Sequence, residues 1–171
     1  MKQQKSLWTV FIIITFILLS NVSYCAEPSD ELKTLLVDLK GWNTEQAEGS
    51  SVNMVGMKMI NAIRNYSKED KSLDVTILVG SSVMIQGQAQ DMDVETSEAQ
   101  VITSEIDGFN VIQAFNKNEN NGYIIITLKK GLTEGSLLMI NFAGITTDEA
   151  LEIAKKYNWK EMKTITSTMI N

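Results

Sequence analysis

The 171-residue chain has no histidine, one cysteine and one proline, and Arg64 is its only arginine. Each scarcity removes a class of chemistry. Without histidine there is no serine–histidine triad and no imidazole general base. With Cys25 alone, no internal disulfide forms and a zinc site lacks its usual ligands. The GxSxG and SxxK nucleophile frames are missing, as are glycine-rich loops for dinucleotides or phosphates. A pair of carboxylates hydrolysing a glycoside is the enzymatic option left, and no particular pair stands out. The expectation is a non-enzymatic protein with no cofactor.

Positive charge is scarce as well. The chain carries 15 basic against 21 acidic residues, a net charge of −6. Such an acidic surface is a poor match for nucleic acid or for anionic lipid.

What is present begins with a leader. Lys2 and Lys5 precede an apolar run from Leu7 to Leu19, after which Ser20, Asn21 and Ser23 raise the polarity. This is the three-part pattern of a secretory signal peptide, and the run is short for a spanning helix of about 20 residues. The expected signal covers residues 1–25, with cleavage near Cys25 or Ala26. Removing it leaves 13 basic against 21 acidic residues, a net charge of −8. The stretch "VSYC" resembles a lipoprotein attachment box, which implies a lipid on Cys25. Tyr24 departs from that pattern, which wants a small residue before the cysteine. Membrane attachment is expected only through the leader or such a lipid. Residues 27–171 are enough for one domain with its own core.

The expected fold is α+β: a single antiparallel sheet of six to seven strands, with an N-terminal and a C-terminal helix packed on one face. Leu32, Leu35, Leu36 and Leu39 repeat at helical spacing between Ser29, a capping residue, and Gly41, a terminating one. A polar connector follows, then one extended run from Val52 to Tyr66. Leu73, Val75, Ile77 and Val79 alternate with polar residues as in a half-buried strand. Met92 and Val94 suggest a short strand, and residues 100–106 another. Asp107-Gly108 is a strong hairpin signal leading to a strand at 109–115. Strands at 123–129 and 137–142 come next. Thr146 with Glu149 forms a capping box ahead of the last helical region.

Three constellations carry candidate chemistry. Met54, Met57 and Met59 are thioethers, and thioethers suit copper(I). On one strand Met57 and Met59 share a face while Met54 points away, unless a bulge at Gly56 brings it round. Two thioethers make a weak site, and Met84 or Met139 would have to add a third. Methionine is a common filler of core gaps. Core packing is therefore expected, with a methionine-based copper(I) protein as the alternative. Asp91, Asp93 and Glu95 resemble the start of a calcium loop but lack the glycine and glutamate that would complete it, so they are expected to line the wet face of a strand. Arg64 is expected in a salt bridge; its functional reading is a fork gripping a carboxylate or phosphate, beside Tyr66 and Trp42.

The late strands give the positive clue. Ile124, Ile126 and Leu128 line one side of theirs while Tyr123 and Ile125 line the other; Leu138, Ile140 and Phe142 oppose Leu137 and Met139. Two short helices cannot cover both faces. The second face either meets an apolar small molecule, an envelope protein or a homodimer partner, or is covered by the loops at 81–91 and 130–136. The expected role is that of an exported, periplasmic or secreted binding module, with Arg64, Tyr66, Trp42, Tyr123 and Met139 as candidate contacts. This architecture resembles small exported half-barrel domains and helix-wrapped sheets.

Overall fold

The computed structural model describes residues 27–54, 57–81 and 94–170. The leader at 1–25 with Cys25, the residues Asp91 and Asp93, and most of the loop at 81–91 lie outside this range. Three helices and nine strands make up the described chain: α1 Pro28–Thr34, β1 Asn43–Thr44, β2 Glu48–Met54, β3 Met57–Lys68, β4 Lys71–Ser81, β5 Val94–Glu95, β6 Ala99–Ile106, β7 Phe109–Asn116, β8 Asn121–Lys129, β9 Glu134–Ala143, α2 Thr147–Ala154 and α3 Trp159–Thr168. The class is α+β, as the strand-rich sequence with short turns implies.

All nine strands join one antiparallel sheet in the order β1-β3-β4-β9-β8-β7-β6-β5, with β2 also paired to β3. This exceeds the six to seven strands expected. The run expected to be one strand from Val52 to Tyr66 is instead two, β2 and β3, paired from Glu48–Ile63 to Met54–Met57. Every residue of β2 is exposed. A strand with two wet faces needs no apolar alternation, so it leaves no periodic signal. The two-residue strands β1 and β5 are too short to leave one either.

Turns follow their backbone chemistry. Asp107 and Gly108 both have positive φ, 52° and 80°, which is the two-residue turn that suits the twist of a hairpin. Gly41 has φ 85°, but the helix expected to reach it stops at Thr34. Leu35 and Leu36 close with bonds to the carbonyls of Leu32 and Lys33, three residues back. Beyond α1, the carbonyls of Leu36 and Val37 accept from the side chains of Arg64 and Tyr66, which hold the segment that follows the helix. The start also shifts. Glu27 is the cap residue with Pro28 at the first helical position, and Ser29 is buried inside the first turn.

Side chains alternate between two faces along each strand. On the first face, Ile60, Ala62 and Tyr66 of β3 join Leu73, Val75 and Ile77 of β4, Leu138 and Ile140 of β9, Ile124 and Ile126 of β8 and Val111 of β7 in one buried cluster. Leu32 of α1, Ala150, Ile153 and Ala154 of α2, and Trp159 and Met162 of α3 belong to that same cluster. Each large aliphatic chain buried there contributes about 1.5–3 kcal/mol of transfer free energy. Thr146 accepts from the Glu149 amide and Glu149 bonds back to the Thr146 amide at 3.0 Å, forming the capping box that starts α2. Residues 158–168 do not extend α2; Asn158 accepts from the Glu161 amide and caps a separate helix, α3.

Candidate functional site

The candidate residues divide between the two faces of the sheet. Arg64, Tyr66 and Trp42 gather at the first face. The guanidinium of Arg64 is fully engaged with its own chain: Nε donates to the Glu45 carbonyl at 2.9 Å, one terminal nitrogen to the Leu36 carbonyl, and the other to Asp38. The salt bridge expected of a lone arginine is made with Asp38. Its fork thus holds the loop after α1 rather than facing open solvent. The Tyr66 ring is buried beneath the guanidinium, with 5.8 Å between them. Trp42 packs half-buried against the main core.

Tyr66 also belongs to a buried relay. Its hydroxyl donates to the Val37 carbonyl at 2.7 Å and accepts from the Tyr157 hydroxyl at 3.1 Å. Burial pushes both phenols above their ordinary range; in Tyr157 the bond to Tyr66 adds to that rise, and in Tyr66 the bond from Tyr157 opposes it. Both stay protonated at neutral pH, which suits them to crosslinking segments and not to proton transfer.

Tyr123 and Met139 lie on the second face. Ile112 on β7, Ile125 on β8 and Met139 on β9 stand abreast in register. Leu137 sits beside Leu78 of β4 one step along. Ile112, Ile125 and Leu137 are 2%, 3% and 0% exposed and form a separate cluster, rimmed by half-buried Leu78, Val101, Tyr123 and Met139. No helical residue belongs to it. The five candidate contacts therefore do not make one site: the sheet separates Tyr123 and Met139 from Arg64, Tyr66 and Trp42.

Two clefts open elsewhere. Phe109, Tyr157 and Trp159 line a groove of about 250 Å³ with Asp107, Lys155 and Lys160 at its mouth. Trp159 is fixed there by its indole bond to the Ala154 carbonyl at 2.8 Å and by an edge contact with Phe109. Val94, Gln100, Val101 and Ile102 line a second, at the β5–β6 edge. The first joins the β6–β7 turn to the α2–α3 junction, and no sequence spacing announced either.

Acid–base chemistry gains little. Asp30 is held below the usual carboxylate range by its hydrogen bond with Lys33, and Glu149 by the backbone amide of Thr146. Neither is the raised acid that glycoside hydrolysis needs. Glu95 is exposed and lies 3.8 Å from Lys117. Among the described residues, no group of three or more histidine, cysteine, aspartate or glutamate side chains could hold a metal ion, and no helix is long and apolar enough to cross a membrane.

The methionines require a correction. Met54 does not point away from Met57; the two are directly paired across β2 and β3. Opposite residues of an antiparallel pair project from the same face, so Met54, Met57 and Met59 share one. Gly56 lies outside the described residues, and the pairing alone is enough to bring Met54 round. Core packing fails for two of them, since Met54 is 63% and Met57 47% exposed.

Compared with protein-family profiles, curated proteins and solved structures, the chain matches none.

Proposed function

We propose that this chain is an exported, non-enzymatic binding module of the cell envelope that holds an apolar ligand or the apolar surface of a protein partner against the second face of its sheet. The three helices are taken as the cover of the first face, because their buried apolar side chains enter its core. The observation that carries the reading is the apolar strip on the other side. Its floor, Ile112, Ile125 and Leu137, is only 2%, 3% and 0% exposed, so the part open to a ligand or partner is the half-buried rim of Tyr123, Met139 and Val101. Contiguous apolar surface away from the main core commonly marks binding, and a tyrosine and a methionine suit a surface that must adapt to its partner. Export rests on the leader sequence, and the acidic net charge argues against nucleic acid.

The test is a native purification followed by two measurements: solvent extraction with mass spectrometry, and mass in solution by light scattering. An extractable apolar molecule, or a stable complex or dimer, is expected. Met139→Lys is expected to abolish it while leaving the near-ultraviolet circular dichroism unchanged. A monomer that carries nothing, and whose Met139→Lys variant behaves identically, overturns the reading. Intact mass of the isolated protein gives the processing site, expected near Cys25.

A further inference from the structure

We infer that Met54, Met57 and Met59 form a surface site for copper(I). This goes beyond the apolar-binding reading and does not rest on it: the three residues share the second face with Tyr123 and Val101 but sit on the β2–β3 pair, toward the other end of the strand order from β8 and β6. The register supplies the geometry. Met54 faces Met57 directly, and Met59 follows Met57 by two residues on the same strand. Opposite side chains start about 4.5–5.5 Å apart at Cβ and diagonal ones about 7–8 Å apart. A methionine side chain has three rotatable bonds and spans such gaps, so three sulfurs can converge on one ion.

Exposure is the second observation. Methionines that fill a core gap are buried; Met54 and Met57 are exposed and Met59 is half-buried. Val52, opposite Met59, is exposed as well, and the next pair on this face, Ser50 and Asn61, is closed by a hydrogen bond of 2.8 Å. No charged side chain occupies the paired positions of this face from Ser50 to Asn61. Lys58 projects from the other face, where its ammonium donates to the Met169 carbonyl at 2.9 Å. The site therefore offers neutral, soft donors with no carboxylate at the paired positions among the described residues, a donor set that selects copper(I) over zinc, calcium or magnesium. Thioethers carry no proton at ordinary pH, so binding displaces none. The ion enters and leaves by ligand exchange, with no change of oxidation state.

The experiment is an anaerobic competition between the full chain and the copper(I)–bicinchoninate complex. It is run on a Cys25→Ser background, because a thiolate is itself a copper(I) ligand. One equivalent is expected to bind more tightly than micromolar, with an affinity that stays level between about pH 5 and 8, where a histidine site would titrate. Met54→Leu/Met57→Leu/Met59→Leu conserves volume and is expected to weaken binding by at least about tenfold, while Met162→Leu, in the core under the helices, leaves it unchanged. X-ray absorption is expected to show sulfur alone around the metal. Micromolar or weaker affinity, equal retention by the triple variant, or a nitrogen or oxygen shell overturns the site. Unchanged circular dichroism of the triple variant separates ligand loss from misfolding.

Discussion

Tyr157 donates its phenol hydrogen to the Tyr66 hydroxyl at 3.1 Å, and Tyr66 donates in turn to the Val37 carbonyl at 2.7 Å. This relay joins the α2–α3 junction, strand β3 and the loop after α1. Its direction makes the two tyrosines unequal. Tyr66→Phe removes the donor to Val37 and the acceptor for Tyr157 together, orphaning the buried Tyr157 hydroxyl and leaving the Val37 carbonyl without this partner. Tyr157→Phe leaves the Tyr66–Val37 bond in place. Losses of about 2–3 kcal/mol for Tyr66→Phe and about 1 kcal/mol for Tyr157→Phe are expected from urea unfolding. Equal losses would contradict the direction assigned to the relay.

The same pair sets an alkaline limit. Both phenols are raised, first by burial. The unfolded chain releases these protons near pH 10 while the folded chain retains them. Above that point the folded state binds more protons than the unfolded one, so stability falls as pH rises. Below about pH 10 the contribution is fully present. The unfolding midpoint of the wild type is expected to drop more steeply between about pH 9.5 and 11 than that of Tyr66→Phe/Tyr157→Phe. Parallel curves would show that the two phenols ionise as readily folded as unfolded.

Arg64 carries a structural prediction where the sequence suggested a ligand. Its three nitrogens bond the Leu36 and Glu45 carbonyls and Asp38. A lysine presents one nitrogen and cannot match that fork. Arg64→Lys is expected to cost about 1–3 kcal/mol, because it leaves carbonyl groups under-bonded. Amide exchange should accelerate in residues 35–45, and binding at the second face should not change. A variant as stable as wild type would mean that the fork does not hold this loop.

Sequence legibility followed the strength of local signals. Asp107-Gly108, the alternation from Leu73 to Val79 and the Thr146–Glu149 box were readable because each acts within a few residues. The length of α1 was not: the leucine spacing runs on past Thr34 into a segment whose Leu36 and Val37 carbonyls are held by Arg64 and Tyr66, 28 and 29 residues away. Strand β2 escaped because all of its residues are exposed, so no apolar alternation marks it. The three methionines were singled out as a copper(I) alternative, but reading residues 52–66 as one strand turned Met54 to the wrong side. On the second face the apolar residues were legible, but their separation from Arg64 and Trp42 depends on pairing register, which no local spacing encodes.

The last prediction concerns the contact between α3 and the sheet. Ser136 of β9 and Thr166 of α3 are both fully buried, with their hydroxyl oxygens 2.9 Å apart. Thr166 has a second, longer partner in the Lys163 carbonyl at 3.4 Å. No second partner is found for the Ser136 hydroxyl among the described contacts. Thr166→Val should therefore be the worse single change, at about 2 kcal/mol, because it strands the serine hydroxyl. Ser136→Ala should cost about 1 kcal/mol, with Thr166 keeping its helix bond. In the double variant neither hydroxyl remains, so its cost should fall below the sum of the two, with a coupling of at least about 0.5 kcal/mol. Chemical denaturation of the four proteins measures the cycle. Strict additivity would mean that the two hydroxyls do not interact, and that α3 is held to β9 by apolar contact alone.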